Sequence, residues 1–283
     1  MGAMTQIEPM RPEPAARDGR RKKVFITGAA GVVGTALRQH LRDRYDFRLL
    51  FHTTIPEVTP GDEVVIGDVA NFEAMLEATV GVDAIIHLAL APVRRGMTQA
   101  ERAKNTIDVD IRGVYNIYEA ARLNRVPVVV FASTNHVTGL NEQDGICSHP
   151  NAPVRPDSIY GAGKAFGEAL GRLYADRKGV RVFCLRIANF NGKDEPGRYY
   201  EPGRSRWLSP RDLAQLVWRC IESDLTFGIF YGDSGGGEQK WDLTNARELL
   251  GYEPQDDGSA EHWRARYAKP ADSSGEKPAG SSG

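Results

Sequence analysis

The chain has few of the features that mark secreted, membrane-inserted or metal-binding proteins. It contains 3 cysteines in 283 residues, Cys147, Cys184 and Cys220, with no Cys-x-x-Cys pair, so neither a disulfide framework nor a structural metal site is expected. No apolar run approaches the length of about 18 residues that a membrane-spanning helix needs, and the first residues lack a signal-peptide pattern. These absences predict a metal-free, cytoplasmic protein that does not enter a membrane.

An excess of charge of either sign is also absent. The 36 basic and 37 acidic residues leave a net charge of -1, and the two signs are interspersed along the chain. Without a basic surface there is no field to attract nucleic acid or an anionic membrane. We therefore expect a small molecule as the partner, not nucleic acid or a membrane, and we leave open whether the chain forms a homo-oligomer.

The apolar content is sufficient for a full core, because hydrophobic residues make up 41% of the chain. Short β-branched runs alternate with longer segments whose apolar residues recur about every 3.6 positions, which is the pattern of βαβ units. The predicted strands are 23–27, 47–52, 63–66, 84–88, 128–132 and 181–187, and the predicted helices are 33–43, 72–79, 100–123 and 159–177. The sequence therefore predicts an α/β fold with a doubly wound, Rossmann-type parallel sheet of six strands.

The two ends of the chain have the composition of tails. Residues 1–21 are rich in proline and charge, so we expect a disordered tail there, and 259–283 is expected to be a second tail. Between them we assign 22–189 to a dinucleotide-binding domain and 190–258 to a small substrate-binding lobe, because the alternation changes after residue 189. The lobe is predicted to contain a helix opened by the capping sequence Ser209-Pro210-Arg211-Asp212, a strand at 227–231 and a helix at 244–250.

A glycine-rich turn, Gly28-Ala29-Ala30-Gly31-Val32-Val33-Gly34, joins the first predicted strand to the first helix. Such a turn lets backbone N–H groups approach a pyrophosphate at the positive end of the helix dipole, although a tight turn also needs glycine for steric reasons alone. Asp68 follows the third strand, where its carboxylate can accept a hydrogen bond from an adenine amino group or, alternatively, only stabilise the next helix. Together the two features favour a bound dinucleotide.

Tyr160 and Lys164 are four residues apart and therefore lie on one face of the predicted helix 159–177. A phenol has a pKa of about 10, and lowering it by about three units requires roughly 4 kcal/mol of stabilisation of the phenolate. A lysine ammonium and a positively charged nicotinamide can supply it, so the pair suits proton transfer. Taken alone, the same spacing is more typical of a surface pair.

The fifth strand ends in Ser133-Thr134-Asn135-His136, which brings hydroxyl and amide groups to the carboxyl edge of the sheet. Open α/β sheets bind their ligands at this edge, although polar residues are also ordinary turn formers. The conjunction of the glycine turn, Asp68, Thr134, Tyr160 and Lys164 in this order is more specific than any one of them.

With this order, the sequence over about residues 22–255 resembles the extended short-chain dehydrogenase/reductases, and within them the uronate dehydrogenases and the haloarchaeal NAD-dependent glucose-6-phosphate dehydrogenases. The segments that carry the resemblance are Phe131-Ala132-Ser133-Thr134-Asn135-His136, Tyr160-Gly161-Ala162-Gly163-Lys164, Arg186-Ile187-Ala188-Asn189, Trp207-Leu208-Ser209-Pro210-Arg211-Asp212 and Leu250-Gly251-Tyr252-Glu253-Pro254-Gln255-Asp256. The resemblance implies a nicotinamide cofactor, NAD or NADP, and a sugar substrate.

The resemblance also implies a role for each matching residue. Tyr160 would be the base that takes the proton from a sugar hydroxyl, Thr134 would hold that oxygen, and Lys164 would bind the nicotinamide ribose and lower the tyrosine pKa. Asn135, His136 and Asn189 would contact the sugar, although His136 and Asn189 also suit plain loop hydrogen bonding. The expected cofactor contacts are Gly28, Gly31, Val32, Val33, Gly34, His52, Asp68, Val69, Leu88, Ala89, Ser133, Tyr160, Lys164 and Ile187.

Two departures from the family pattern concern the cofactor side of the site. The second strand usually ends in an acid that accepts the adenosine ribose hydroxyls, whereas this chain has Phe51-His52-Thr53-Thr54. The sequence therefore leaves the choice between NAD and NADP open. An asparagine that is common before the long fourth helix is replaced by Asp110.

A third departure concerns the substrate. Uronate dehydrogenases have an arginine that clamps the substrate carboxylate five residues before the tryptophan, and this chain has Pro202 there. Arg204 is our candidate for the substituted clamp. An arginine cluster is also typical of a solvated loop, in which case the substrate is neutral. The other candidate arginines are Arg94, Arg95, Arg198 and Arg206.

The resemblance therefore implies an enzyme, an NAD(P)-dependent sugar dehydrogenase that oxidises the anomeric hydroxyl of a hexuronate or sugar phosphate to a lactone. One alternative is a nucleotide-sugar epimerase or dehydratase, which normally needs a larger C-terminal lobe. The other is a non-catalytic, dinucleotide-sensing regulator, but such proteins tend to lose the Tyr/Lys pair that this chain retains.

Overall fold

A parallel sheet of seven strands forms the centre of the computed structural model, which describes residues 20–53, 55–92 and 95–267. The strands are β1 (Lys22–Thr27), β2 (Tyr45–Phe51), β3 (Glu63–Ile66), β4 (Ala84–His87), β5 (Val128–Thr134), β6 (Arg181–Ile187), β7 (Arg204–Ser205), β8 (Phe227–Gly232) and β9 (Glu238–Gln239). The main sheet has the order β3-β2-β1-β4-β5-β6-β8, and β7 and β9 form a separate parallel pair. The predicted fold class is confirmed.

Helices cover both faces of this sheet. They are α1 (Val32–His40), α2 (Phe72–Ala78), α3 (Gln99–Asn105), α4 (Val114–Leu123), α5 (Gly139–Gln143), α6 (Ile159–Lys178), α7 (Pro210–Glu222), α8 (Thr244–Leu250) and α9 (Arg264–Tyr267). Along β1, Val24 and Ile26 join the core under α1 and α7, whereas Phe25 joins the core under α2, α4 and α6. The strand is apolar throughout because a central parallel strand is buried on both faces.

The helix predicted as a single element at 100–123 is divided into three parts. Between α3 and α4 the chain forms a π-helical segment, Thr106–Gly113. Apolar spacing cannot distinguish this wider turn from an α-helical one, because both keep one face towards the core. Segments of this kind are frequent at functional sites, and this one carries the buried Asp110.

The prediction of six strands was one short. The strand expected at 227–231 in the C-terminal lobe is β8, which pairs in parallel with β6 from Val182↔Phe227 to Ile187↔Gly232. By covering the edge of β6, it satisfies backbone groups that would otherwise be exposed to solvent.

The C-terminal part of the described chain packs back on the loop after β6. Residues 259–267, which the sequence analysis placed in a tail, include a 3-10 turn and α9, and Arg266 forms an ion pair with Glu195 at 2.7 Å. The cysteines Cys147, Cys184 and Cys220 are all free. Across the described ranges, no helix combines the length and apolarity needed to cross a membrane.

The strand order reverses between β1 and β4, and this point determines where a ligand can enter. The hydroxyl oxygen of Thr27, at the end of β1, accepts hydrogen bonds from the backbone N–H groups of Leu88 and Ala89 at 3.1 and 3.2 Å. Gly28 follows with a positive φ of 67°. A Cβ atom there would lie 2.8 Å from the Leu88 carbonyl. The two strand ends therefore lie close together. Because the strand order reverses here, the chain leaves β1 and β4 in opposite directions, and a crevice forms at the carboxyl edge.

Gly34 and Gly31 allow a test of this packing. A Cβ atom at Gly34 would lie 2.7 Å from the carbonyl oxygen of Gly28, whereas one at Gly31 would lie 3.2 Å from the same oxygen and touch nothing else. We expect Gly34→Ala to lower the free energy of unfolding by about 1–3 kcal/mol, because backbone atoms cannot move aside. Gly31→Ala should change it by less than about 1 kcal/mol, because a poorer N-cap is offset by a stiffer unfolded chain.

Urea unfolding of both variants measures the difference. Equal losses of stability would contradict the steric account of Gly34.

Candidate active site

Two adjoining clefts lie along the carboxyl edge of the sheet. The larger has a volume of about 680 Å³ and is called the outer cleft, and the smaller has a volume of about 290 Å³ and is called the inner pocket. They adjoin each other, because Leu88 and Leu90 line both.

Most residues predicted for the site line one of these clefts. The outer cleft contains Gly28, Gly31, His52, Asp68, Val69, Leu88 and Ala89. The inner pocket contains Val33, Leu88, Ser133, Thr134, Asn135, His136, Tyr160, Lys164, Ile187 and Asn189. Val32, Gly34 and Arg204 line neither.

The glycine turn gives the outer cleft room for a phosphate. Gly31 precedes α1 in an extended conformation, with φ of -73° and ψ of 168°, and it faces the cleft without a side chain. The start of α1 therefore presents backbone N–H groups and the positive end of the helix dipole to the space above the turn. The turn, the neighbouring acid and the volume of the cleft all fit a dinucleotide.

Asp68 lies at the far wall of the outer cleft, after β3. Its Oδ1 accepts the backbone N–H of Ala70 at 2.9 Å, and its Oδ2 lies 3.8 Å from Nε2 of His52 at the end of β2. The adjacent carbonyl of Val69 is held at 2.9 Å by the buried side-chain amide of Asn116. Asn116 was not predicted as part of the site, since nothing local in its sequence shows that it contacts residue 69.

Tyr160 and Lys164 project from the first turns of α6 into the inner pocket. Ser158 caps this helix by accepting the N–H of Gly161. The Lys164 Nζ lies 4.8 Å from the ring centroid of Phe131 and 5.9 Å from that of Tyr160. Burial lowers the pKa of Lys164 to about 8, while the charge of Asp110 acts to raise it.

The pKa of Tyr160 is shifted in the direction opposite to the sequence expectation. Burial raises it, a hydrogen bond with Thr134 lowers it and the charge of Asp110 raises it, and the net shift is upward. The reason is desolvation, because the phenol is largely enclosed and water stabilises the phenolate less there. A cation placed in the pocket would oppose this shift.

The strand end after β5 arranges three polar side chains around the phenol. The Thr134 hydroxyl lies 3.4 Å from Oδ1 of Asn135, whose amide nitrogen donates to Glu142 at 3.2 Å. The His136 ring lies edge-on to that of Tyr160, with centroids 5.9 Å apart. These contacts fix the orientation of each group at the mouth of the pocket.

Asp157 holds His136 in place, and sequence reasoning missed it. Its carboxylate oxygens lie 2.8 and 3.0 Å from Nδ1 of His136, and it also accepts from the Ser158 hydroxyl at 3.0 Å. Burial raises the pKa of Asp157, but its hydrogen bonds to His136 and Ser158 lower it more. With Nδ1 engaged, His136 has Nε2 left for a ligand. The only signal in the sequence was an aspartate directly before Ser158, the N-cap residue of α6.

A buried ion pair supports the pocket from below. Arg186 on β6 donates to both carboxylate oxygens of Glu168 on α6, at 2.9 and 2.8 Å, and both side chains are almost fully buried. The Ser133 hydroxyl also donates to Glu168, at 2.5 Å. Ser133, predicted to contact the cofactor, therefore directs its hydroxyl into the core.

The candidate arginines occupy different environments. Arg204, our candidate from the sequence, forms an ion pair with Glu238 at 2.6 Å on the β7–β9 pair, and Arg206 pairs with Glu201 at 2.8 Å. Arg198 lies instead over the ring of Tyr199, 4.9 Å from its centroid, and lines a third cavity of about 330 Å³ that shares Phe190 and Tyr199 with the inner pocket. Arg95 is exposed, and Arg94 lies outside the described residues.

Asn189 connects the inner pocket to the same loop. Its side-chain amide donates to the carbonyl of Arg206 at 2.8 Å, and its carbonyl accepts from Leu208 at 3.0 Å. The loop that carries the arginines is therefore fastened at the edge of the pocket.

Comparisons with known proteins agree with this geometry. Residues 24–249 match the model of the NAD dependent epimerase/dehydratase family. The NAD-dependent glucose-6-phosphate dehydrogenase of Haloferax volcanii is 36% identical over 83% of this chain and 94% of its own. The L-arabinose 1-dehydrogenase (NAD(P)(+)) of the same organism is 33% identical over 84% of this chain and 98% of its own.

A solved structure of a mutated uronate dehydrogenase superposes with a TM-score of 0.77 at 33% identity, covering 88% of each chain. UDP-sugar epimerases are more distant relatives. The glycine turn, the Tyr/Lys pair and the strand order thus occur in a chain that belongs to the NAD-dependent epimerase/dehydratase family.

Proposed function

We propose that the chain is an NAD(P)-dependent sugar dehydrogenase that oxidises the anomeric hydroxyl of a hexuronate or sugar phosphate to a lactone. The observation that carries the proposal is that two clefts adjoin: the outer cleft, with the glycine turn and Asp68, lies next to a pocket that contains Thr134, Tyr160 and Lys164. The relatives reported above are named as dehydrogenases of glucose-6-phosphate, L-arabinose and uronate. Their names support a sugar as the substrate of this chain.

In this proposal the protein positions the sugar and moves one proton. Thr134 holds the reacting hydroxyl, and Tyr160 removes its proton. Lys164 would hold the cofactor ribose, and a bound nicotinamide would supply the acceptor for the hydride of the anomeric carbon. Asn135, His136 and Asn189 contact the remaining hydroxyls. His136 is suited to accept a hydrogen bond through Nε2, because Asp157 engages its Nδ1.

The outer cleft has no acid at the end of β2. His52 occupies that position, with an exposed side chain directed towards Asp68. A carboxylate at this position would repel a 2′-phosphate, so its replacement by histidine removes the repulsive part of NAD specificity. We therefore propose that NAD and NADP are both accepted.

The two alternative functions have less support. An epimerase would have to hold a nucleotide diphosphate beside the sugar, and residues 190–258, which we propose as the substrate-binding lobe, form a small unit. A sensing regulator would not need Tyr160 and Lys164 to face the same pocket. We propose that the protein is cytoplasmic, because its cysteines are free. We also propose that it can form a homo-oligomer.

For the anionic group of the substrate we propose Arg198 in place of Arg204. The guanidinium of Arg204 is already paired with Glu238, whereas that of Arg198 lies over the ring of Tyr199 and donates to its hydroxyl, with no ion pair to a described carboxylate. Tyr199 lines both the inner pocket and the cavity that Arg198 lines, so Arg198 is next to the proposed sugar site. A carboxylate or phosphate would find its charge-assisted partner there.

The proposed role of Tyr160 is tested by Tyr160→Phe. It should lower kcat by about 10²-fold or more, because a general base typically contributes 10²- to 10⁴-fold. Dinucleotide affinity should change little, since the phenol is in the inner pocket. Steady-state assays and cofactor titration by fluorescence measure the two effects. Activity above about a tenth of wild type would exclude Tyr160 as the base.

The function and the cofactor choice are tested together by a substrate panel. Uronic acids, hexose phosphates and neutral aldoses are assayed with NAD and NADP through the absorbance of the reduced cofactor. We expect turnover of at least one acidic sugar with both cofactors. A preference for NAD above about a hundredfold, roughly 2.7 kcal/mol, would show that an acid from elsewhere reaches the ribose. Oxidation of none of these sugars would contradict the proposed function.

The anion site is tested by Arg198→Ala, with Arg204→Ala as the matched comparison. Arg198→Ala should raise KM for the acidic substrate about tenfold or more, because a hydrogen bond to a charged group contributes about 1.5–3 kcal/mol. KM for a neutral aldose should stay the same in both variants. If Arg204→Ala alone produces the increase, the sequence-based candidate is correct and Arg198 is not the clamp.

A further inference from the structure

Asp110 is a buried carboxylate beside the active site for which the proposed reaction has no role. It lies on the π-helical segment, with only 3% of its surface exposed, and its Oδ1 accepts the backbone N–H of Ala91 at 3.0 Å. It occupies a position at which the extended short-chain dehydrogenase/reductases, which this sequence resembles, commonly have an asparagine. The chain has therefore placed a charge where a neutral side chain would make the same hydrogen bond.

Through its Cβ atom, the Asp110 side chain packs against the part of α6 that carries Tyr160 and Lys164. A Cβ atom built on Gly163 would lie 3.6 Å from Cβ of Asp110, so no other side chain separates the two backbones there. Burial raises the pKa of Asp110, and the charge of Lys164 lowers it by less. The charge of Asp110 in turn acts to raise the pKa of Lys164 and the pKa of Tyr160.

The other groups around Lys164 do not balance its charge. On the sheet side the ammonium lies over the Phe131 ring. His87 on β4 is neutral, because burial and the charge of Lys164 lower its pKa to about 3. One turn further along α6, Glu168 is engaged by Arg186.

Asp108, two residues before Asp110, is also engaged. It is held by Lys104 at 2.5 Å and by Arg112 at 3.2 Å. Among the described groups that surround Lys164, Asp110 is therefore the carboxylate without a cationic partner of its own.

We propose that Asp110 is the counterion of Lys164, and that it acts through this lysine and directly on Tyr160 as a positioning residue that determines where the catalytic proton resides. The catalytic part of this inference rests on the proposed function. The electrostatic part needs no reaction, because it is the effect of a nearby charge on Lys164 in the folded chain.

The pairing has a definite consequence for the pH dependence. A neighbouring negative charge stabilises the ammonium of Lys164 and destabilises the phenolate of Tyr160, so it raises both pKa values. Removing that charge lowers both. For a reaction that needs a deprotonated Tyr160 and a protonated Lys164, the acid limb and the alkaline limb of the pH profile then both move to lower pH.

The direct test is the titration of Lys164 by NMR on protein labelled with ¹³C-lysine, with Lys164→Met identifying the signal. In the wild type the signal should titrate near pH 8. In Asp110→Asn, which keeps an oxygen for the Ala91 N–H, it should titrate at least about one unit lower. An unchanged titration in the folded variant would overturn the proposal.

Asp176→Asn is the matched control. Asp176 is also on α6, but it is exposed and paired with Arg172 at 2.7 Å, so its removal changes the net charge equally and should leave the Lys164 signal unmoved. If Asp110→Asn does not fold, the wild-type titration decides: a Lys164 pKa below about 7 would show that no carboxylate supports the ammonium and would overturn the pairing.

The activity profile is the second readout. Both limbs of the pH profile of kcat should move to lower pH in Asp110→Asn and stay in place in Asp176→Asn. Limbs that do not move in Asp110→Asn would overturn the catalytic part. If the wild type oxidises no sugar, the proposed function fails, and the NMR titration still decides the Asp110–Lys164 pairing.

Discussion

The close approach of α6 to the sheet is the constraint on which the active site depends. Glycines at three positions make it possible. A Cβ atom would lie 2.4 Å from the His136 carbonyl at Gly161, 2.4 Å from the Phe131 ring at Gly167, and 2.8 Å from the Val182 side chain on β6 at Gly171. Larger residues would push the helix outward and withdraw Tyr160 from Thr134. The absence of a side chain at these three positions thus brings the phenol and the strand end together.

Burial caused by this packing also determines the electrostatics. Under α6, the Glu168–Arg186 pair joins the helix to β6, and the Ser133 hydroxyl adds β5 to the same network. A buried ion pair contributes little net stability, but loss of one partner would leave an unpaired charge in the core. The network therefore holds helix and strands in one register. The same burial makes the ionisation of Lys164 sensitive to nearby charge, which gives Asp110 its importance.

Local sequence patterns predicted much of this arrangement. The glycine turn, the Tyr160/Lys164 spacing and the polar end of β5 each depend on neighbours within one element, so the sequence displays them directly. The fold class and the family are confirmed. The roles of the site residues stay predictions, although the structure places most of them along two adjoining clefts.

What the sequence could not reveal depends on distant contacts. Asp157 matters because it meets His136, 21 residues away in the chain, and β8 joins the main sheet only because β6 has a free edge to pair with. The partner of Arg204, Glu238, is 34 residues away, so no pattern around residue 204 could show that its charge is already satisfied. The π-helical turn was invisible because its apolar spacing is that of a helix.

The proposed function depends on the transfer of hydride from the anomeric carbon of a sugar in a pocket next to the dinucleotide. The most direct measurement uses an acidic aldose deuterated at C1, with NAD or NADP, followed by NMR of both products. We expect the deuterium to appear at C4 of the reduced nicotinamide and a lactone to be the first sugar product. Reduced cofactor without deuterium, or a sugar oxidised at another carbon, would contradict it.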